Sequence, residues 1–475
     1  MLKDSFGVRI YLLALVARLI PLLMLADLGI GMDDMFQYDM LARSLTQGNG
    51  FRWYAREDLK TLEPYIDFDL ASVENYDPNI GVSTSFRAPL YPFFLSIVYS
   101  LSGLGTSRFL CARFVQAALL GAPLAPLTYR VALLLFAGSE KRSRAAAYLV
   151  AFYPLLLLYP LGLGTENLFF LLLLAFVYVI LSSLPRPNFR NMLLAGILLG
   201  LTSLTRSVIL LFAGCIICYL LFEIRWRSLP LAAGFLLVSM PWVVRNSVLH
   251  GHLVGIESSM GYNLYLGYHP HGNGSFVFGP SLELLSIMDD YERDRQGTRK
   301  AVEFVRSDPS RFIPLVFNRL GFFFGLEKRI LMYFYSNNFL GYIPPPLLIS
   351  TVLILILPFA FLCLLAVSAL PFLTRSPSLD IILMLFLAYV LPHVLILSEE
   401  RFHLALVPYL AIFAVQGWGT WVNPGLPGTP GFRIKMAAIG FALLLVVNWG
   451  IELWRDYDKI VQLLGPQGNQ AYFNY

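Results

Sequence analysis

Apolar residues in this chain run in long unbroken stretches rather than alternating with polar ones. The stretches lie at 8–28, 109–136, 144–160, 165–183, 189–205, 207–222, 229–249, 345–370, 379–397, 402–421 and 434–454. A helix rising 1.5 Å per residue needs about 20 apolar residues to cross a hydrocarbon core of about 30 Å. Inside that core each segment must satisfy its own backbone polar groups, which a helix does and an open strand does not. The pattern therefore predicts an all-α polytopic membrane protein with about 11 (11–13) transmembrane helices. The first run, Val8 to Leu28, is too long for the apolar core of a signal peptide, and no small-x-small cleavage pattern follows it. A twelfth candidate, 88–104, is shorter and carries Pro89, Pro92, Tyr91 and Tyr99.

Basic residues orient these segments. Short clusters stand at Lys3/Arg9, Lys141/Arg142/Arg144, Arg186/Arg190, Arg225/Arg227, Arg375 and Arg433/Lys435. Such clusters in short loops mark the cytoplasmic side. The parity of crossings closes when 88–104 lies at the interface or re-enters, a placement that its prolines and tyrosines suit; splitting 109–136 at Gly121–Pro126 also closes it but leaves two very short spans. The expected topology has an inner N-terminus and an outer C-terminus. Four regions follow from it: a membrane module at 1–249 with an outer loop at 29–108, a larger outer loop at 250–340, C-terminal transmembrane helices at 341–454, and an outer tail at 455–475.

Composition agrees with this layout. Hydrophobic residues make up 57% of the 475 and charged residues 14%, against roughly 45–50% and 25% in a soluble domain. A water-soluble enzyme is excluded, and so is a disordered chain. The net charge of +5 is what the positive-inside bias produces and calls for no nucleic acid. Cys111, Cys215, Cys218 and Cys363 all lie in apolar runs, where cysteine behaves as a small hydrophobe. The spans themselves are nearly free of charge, which disfavours a transporter with polar groups at mid-membrane.

Chemistry is therefore sought at the outer ends of the spans. Asp33-Asp34 follows the first span and opens an amphipathic stretch containing Tyr38. Acidic residues cap helix N-termini, but one suffices for a cap, and an adjacent pair also supplies a general base or a metal ligand. Glu166 opens a span in Gly164-Thr165-Glu166-Asn167. Arg87, Arg206, Arg245 and Arg401 each stand at an outer span end, Arg401 beside Glu400. Arginines there snorkel to headgroups, yet they run against the positive-inside bias, and together with acids they suit a site gripping a phosphate or carboxylate. The segment Gly261 to Gly274 holds Asn263, Tyr265, His269 and His271. It has the composition of a turn-rich loop, and equally the aromatic and amide groups of a sugar-binding surface. His269 and His271 alternate, with no third metal ligand evident at a matching spacing.

In this order the motifs resemble the type C (GT-C) membrane glycosyltransferases, on the branch of lipid A aminoarabinose transferases and protein O-mannosyltransferases. The likeness runs through Asp33-Asp34 with Tyr38, Gly48–Phe51, Arg87-Ala88-Pro89-Leu90-Tyr91-Pro92 and Thr165-Glu166. It continues through Gly196–Arg206, Pro241–Asn246, Gly261–Gly267 and Glu400-Arg401-Phe402. It covers about 30 to 410, while 52–86 and 275–340 match no pattern of the family. The resemblance implies a GT-C-like fold with surface helices in the first outer loop and a polyprenyl-phosphate-linked sugar donor. The acceptor it implies is a glycolipid, a polysaccharide or a protein, and transfer takes place at the outer, periplasmic or extracellular face of the cytoplasmic membrane. It makes Asp33 catalytic, with Asp34 and Glu166 beside it. It makes Arg87 a ligand of the donor phosphate, with Arg206, Arg245 and Arg401 as further candidates. Tyr38, Asn263, Tyr265, His269, His271 and Glu400 are candidate substrate contacts. No cofactor is certain, and a divalent metal stays an open option. The other readings are a lipid-linked-sugar flippase or secondary transporter, an oligosaccharide ligase or polymerase, and a non-catalytic scaffold.

Overall fold

A computed structural model describes residues 5–31, 34–70, 73, 76–136, 138–328, 343–422 and 432–464. Among the described residues the secondary structure is helical apart from one two-stranded antiparallel ribbon, Arg52–Trp53 with Val82–Ser83. Among the described residues, eight helices are long and apolar enough to cross a membrane: Ser5–Met24, Ser107–Leu135, Glu166–Ser183, Arg225–His250, Pro345–Phe372, Pro377–Leu395, Glu400–Gly419 and Arg433–Arg455. The predicted straight span at 144–160 is instead two helices, Glu140–Ala151 and Pro154–Leu161, bent by 55°, which make a ninth crossing if counted as one. Pro154 has no N–H to continue the first helix, so the chain breaks there and restarts. Two more of the eleven predicted segments form the shorter apolar helices Phe189–Thr205 and Ser207–Glu223. Length and apolarity thus support eight or nine crossings where the hydropathy pattern predicts eleven.

The outer rows of these helices face lipid. Leu12, Val16, Ile20 and Leu23 on the first helix and Leu443, Leu444 and Val447 near the C-terminus are exposed, a display that a protein surrounded by water does not sustain. Helix Leu90–Ser102 has 13 residues and is about 20 Å long, too short to span. It packs Tyr91, Leu95 and Tyr99 inward and leaves Ile97 and Leu101 exposed. Helices Phe189–Thr205 and Arg225–His250 pack closely. A Cβ added at Gly196 would fall on the Leu231 carbonyl oxygen, so only glycine lets the two backbones meet.

Buried polar side chains hold the segments that carry the site. Asp39 accepts hydrogen bonds from Arg43 Nε (2.8 Å), Arg108 Nε (2.8 Å) and Tyr99 Oη (2.9 Å), which fixes the helix Asp34–Thr46 against its neighbours. In the Ser107–Leu135 helix a wide turn at Gln116–Gly121 turns Gln116 toward the 160–162 backbone, where its Nε2 donates to the carbonyls of Pro160 and Gly162 at 3.1 Å. Its Oε1 accepts from Tyr91 Oη at 2.7 Å. Arg113 donates to the carbonyls of Leu161 (2.7 Å) and Gly29 (2.6 Å). These bonds tie the approach to Asp34 to the approach to Glu166.

Candidate active site

Five charged side chains from separate segments meet in one cavity of about 950 Å³. Asp34 is the first residue of the helix Asp34–Thr46. Arg87 precedes the helix Leu90–Ser102. Glu166 opens Glu166–Ser183. Arg206 sits in extended backbone between two short apolar helices, and Arg401 lies in the first turn of Glu400–Gly419. Span ends are where charge meets least desolvation while the helices stay apolar. Gly164 makes room for the carboxylate that follows it, since a Cβ there would lie 2.5 Å from Glu166 Oε2.

The charges are paired. Arg87 donates to Asp34 Oδ1 through Nη2 and to Gln37 Oε1 through Nε at 2.7 Å. Arg401 Nη2 stands 3.4 Å from the other Asp34 oxygen, and its Nε is 3.1 Å from Glu399 Oε2. Arg206 Nη1 donates to Glu166 Oε1 at 2.8 Å. Burial alone would raise the Asp34 carboxyl, but the guanidiniums of Arg87, Arg401 and Arg206 outweigh it and hold the group at about 2. The Asp34 side chain nevertheless keeps 37% of its surface accessible, so it opens into the cavity. Arg87 packs over the rings of Phe86 and Tyr38, at 5.2 and 5.5 Å, and burial pushes the Tyr38 phenol up to about 12.

Tyr38, Asn263 and Glu400 also line this cavity, and Glu400 Oε2 accepts the Lys328 amide N–H at 2.9 Å. The structure does not bring the other sequence candidates there. Arg245 stacks over Trp242 at 4.8 Å and donates to the Thr84 carbonyl at 2.5 Å. Tyr265 is buried and donates to Glu283. His269 packs edge-on against Tyr265 and accepts the His271 amide through Nδ1 at 3.3 Å. Tyr265 lies on the helix Met260–Tyr268, which packs on Asp290–Ser307, and His269 and His271 follow directly after it. Asp33 lies outside the described residues. Sequence reasoning missed Gln37, Glu327, His393 and Glu399, all of which line the cavity. Glu399 was visible as the neighbour of Glu400, and Glu327 as a carboxylate ending the apolar run Gly321–Leu326. Among the described residues no three His, Cys, Asp or Glu side chains gather as a metal site.

The arginines on the wall of this cavity are thus already engaged by carboxylates. A phosphate entering it competes with the carboxylates for charge-assisted hydrogen bonds, which are roughly twice as strong as neutral ones.

Residues 86–245 match the family model described as dolichyl-phosphate-mannose-protein mannosyltransferase. The match covers about a third of the chain, from the residue before Arg87 to Arg245, and includes Glu166 and Arg206. It bears out the resemblance to GT-C membrane glycosyltransferases read from the motifs. No curated protein sequence matches the chain. Among solved structures, the Archaeoglobus fulgidus oligosaccharyltransferase AglB in complex with an inhibitory peptide and a dolichol-phosphate is 12% identical with a TM-score of 0.47, over 98% of this chain and 59% of that one. The apo form of the same enzyme is 13% identical (TM-score 0.47; 99% and 59%), and its complex with Zn and sulfate 14% (TM-score 0.47; 99% and 59%). The chain thus spans about 59% of the length of these proteins, and a likeness of this degree carries no residue roles across.

Proposed function

We propose that the protein is an inverting glycosyltransferase that moves a sugar from a polyprenyl-phosphate donor to a glycolipid, polysaccharide or protein acceptor at the outer face of the cytoplasmic membrane. The observation that carries this reading is the meeting of Asp34, Glu166, Arg87, Arg206 and Arg401 on one cavity at the ends of apolar helices. The match of 86–245 to a mannosyltransferase family that uses a lipid-linked sugar supports it. A lipid-linked donor cannot leave the bilayer, so its phosphate has to be met near the interface, where these arginines stand.

In the proposed reaction the acceptor oxygen attacks the anomeric carbon from the side opposite the phosphate. The bond from that carbon to the phosphate oxygen breaks, and polyprenyl phosphate departs with the bonding pair. Arg87, Arg206 and Arg401 stabilise the charge that develops there. The acceptor proton passes to a carboxylate, for which Asp33 is the proposed base. A single displacement inverts the anomeric configuration. Asp34 serves best as the partner that aims Arg87 and Arg401, because a carboxyl held at about 2 is a weak base while those arginines face it. Glu166 does the same for Arg206.

The test is release of polyprenyl phosphate by the purified protein in detergent, with polyprenyl-phosphate mannose, glucose and galactose offered in turn. Asp33→Asn is expected to abolish release while the protein still folds and inserts. Full activity in that variant overturns the base, and movement of intact donor across a bilayer without release points to a flippase.

A further inference from the structure

One end of the cavity carries polar groups with no charge partner among the arginines. Glu327 and His393 both line it, beside Phe402 and Leu155. Glu327 is 3% exposed and His393 6%. Glu327 Oε1 accepts from Tyr153 Oη at 2.5 Å and lies 2.9 Å from His403 Nε2. Its Oε2 has no hydrogen-bond partner among the described residues, and neither has His393 Nε2. Buried polar atoms left in this condition are few in folded proteins and call for an explanation.

The surroundings supply one. The His403 Nδ1 is 2.7 Å from the Phe323 carbonyl, which only accepts, so Nδ1 carries a proton. His403 Nε2 and Glu327 then share one further proton, as imidazolium with carboxylate or as imidazole with carboxylic acid. Either way the pair is neutral overall and the proton lies between Nε2 and Oε1, so Oε2 is an acceptor, which suits a hydroxyl better than an ion. An apolar ring stands next to His393: Phe402, which also lines the cavity, stacks on it at 4.3 Å. Flat apolar faces beside hydrogen-bonding groups are what a pyranose ring requires. The backbone on both sides of Glu327 is pinned as well. The Leu326 N–H donates to Glu452 Oε2, and the Lys328 N–H to Glu400 Oε2, each at 2.9 Å. Phe402 joins this end to the arginines, since the guanidinium carbons of Arg206 and Arg401 lie 5.3 and 5.8 Å from its ring centre.

Resting on the proposed function, we propose that Glu327, with His393, is the specificity-determining subsite for the transferred sugar: Glu327 Oε2 binds a ring hydroxyl of a neutral hexose while the arginines beyond Phe402 hold the donor phosphate. Tyr153 and His403 both occupy Oε1, so Oε2 is the carboxyl oxygen left without a partner.

The experiment measures dissociation constants in nanodiscs for polyprenyl phosphate and for polyprenyl-phosphate mannose, glucose and galactose. The ratio of sugar-free to sugar-bearing constants isolates what the sugar contributes. In the wild type at least one hexose donor is expected to bind tighter than polyprenyl phosphate. Glu327→Leu should reduce that ratio about 10- to 100-fold, the value of a hydrogen bond to a charged or proton-sharing group. Its affinity for polyprenyl phosphate should stay within about twofold, because hydrogen-bond losses act only where the bond is made. Glu327→Gln, which keeps the volume and a contact to Tyr153, should fall between the two and guards against a folding defect. An unchanged ratio in Glu327→Leu, an equal loss for the sugar-free lipid, or a wild type that gains nothing from any hexose overturns the subsite alone. A wild type that does not bind polyprenyl phosphate overturns the functional reading, and the subsite with it.

Discussion

Replacing Asp34 by asparagine should strengthen binding of polyprenyl phosphate while it slows turnover. In the free protein one Asp34 oxygen takes Arg87 and the other faces Arg401 at 3.4 Å, so a phosphate has to displace the carboxylate. The magnitude follows from the carboxyl, which stands at about 2 instead of 3.8. At 1.36 kcal/mol per unit this is about 2 kcal/mol of net attraction. With 37% of the side chain accessible, solvent screening cuts it to about 1 kcal/mol. Asparagine keeps the volume and removes the competing charge, so the dissociation constant should fall about fivefold. The assay is a titration of nanodisc-embedded protein with polyprenyl phosphate at fixed ionic strength, since added salt screens the effect. An unchanged or weaker affinity in a folded Asp34→Asn protein would refute the competition between carboxylate and phosphate.

Three further outcomes follow from the same geometry. Arg245→Ala should lower the apparent melting temperature by a few degrees, through lost packing on Trp242 and the lost bond to the Thr84 carbonyl, and leave the polyprenyl phosphate affinity within about twofold, because the lost contacts are local to Trp242 and Thr84; a large loss of affinity would return Arg245 to the phosphate site. Gly196→Ala should reduce the yield of folded protein, because its Cβ meets the Leu231 carbonyl and overpacking costs about 1–3 kcal/mol; a normal yield and melting temperature would contradict the close helix contact. The Asp34 carboxyl is depressed from 3.8 to about 2, so its contribution to stability is fully present above 3.8 and lost only as pH falls toward 2. The difference in apparent melting temperature between wild type and Asp34→Asn should therefore be flat from pH 8 to pH 5, and a steep change in that window would place the carboxyl elsewhere.

Much of the architecture is legible in the apolar runs, because a membrane helix must be long and continuous to satisfy its backbone in lipid. The bend between Ala151 and Pro154 is not, since hydropathy sums over a proline that breaks the helix. The gathering of Asp34, Arg87, Glu166, Arg206 and Arg401 follows from a simple fact: polar residues at the ends of apolar helices have few places to go. Arg245 shows the limit of that reasoning. It ends an apolar run just as Arg206 does, but its helix is turned so that it meets the Thr84 and Phe51 carbonyls, and that rotation is set by packing that local sequence does not encode. Tyr265 and His269 carry the composition of a binding loop, yet they are buried against Asp290–Ser307 and its neighbours. Glu327 is the reverse case. It belongs to a stretch without a recognisable motif and enters the cavity wall through contacts with Tyr153 and His403, 174 and 76 residues away in the chain.

The central claim is that the acid–arginine cavity receives the donor phosphate. A structure of the full-length protein with polyprenyl phosphate bound tests it most directly. The account predicts the phosphate within hydrogen-bond reach of Arg87, Arg206 and Arg401, with Asp34 turned away from at least one of them. A phosphate seated beside Arg245, or on the lipid-facing surface with the Asp34–Arg87 pair intact, would contradict it.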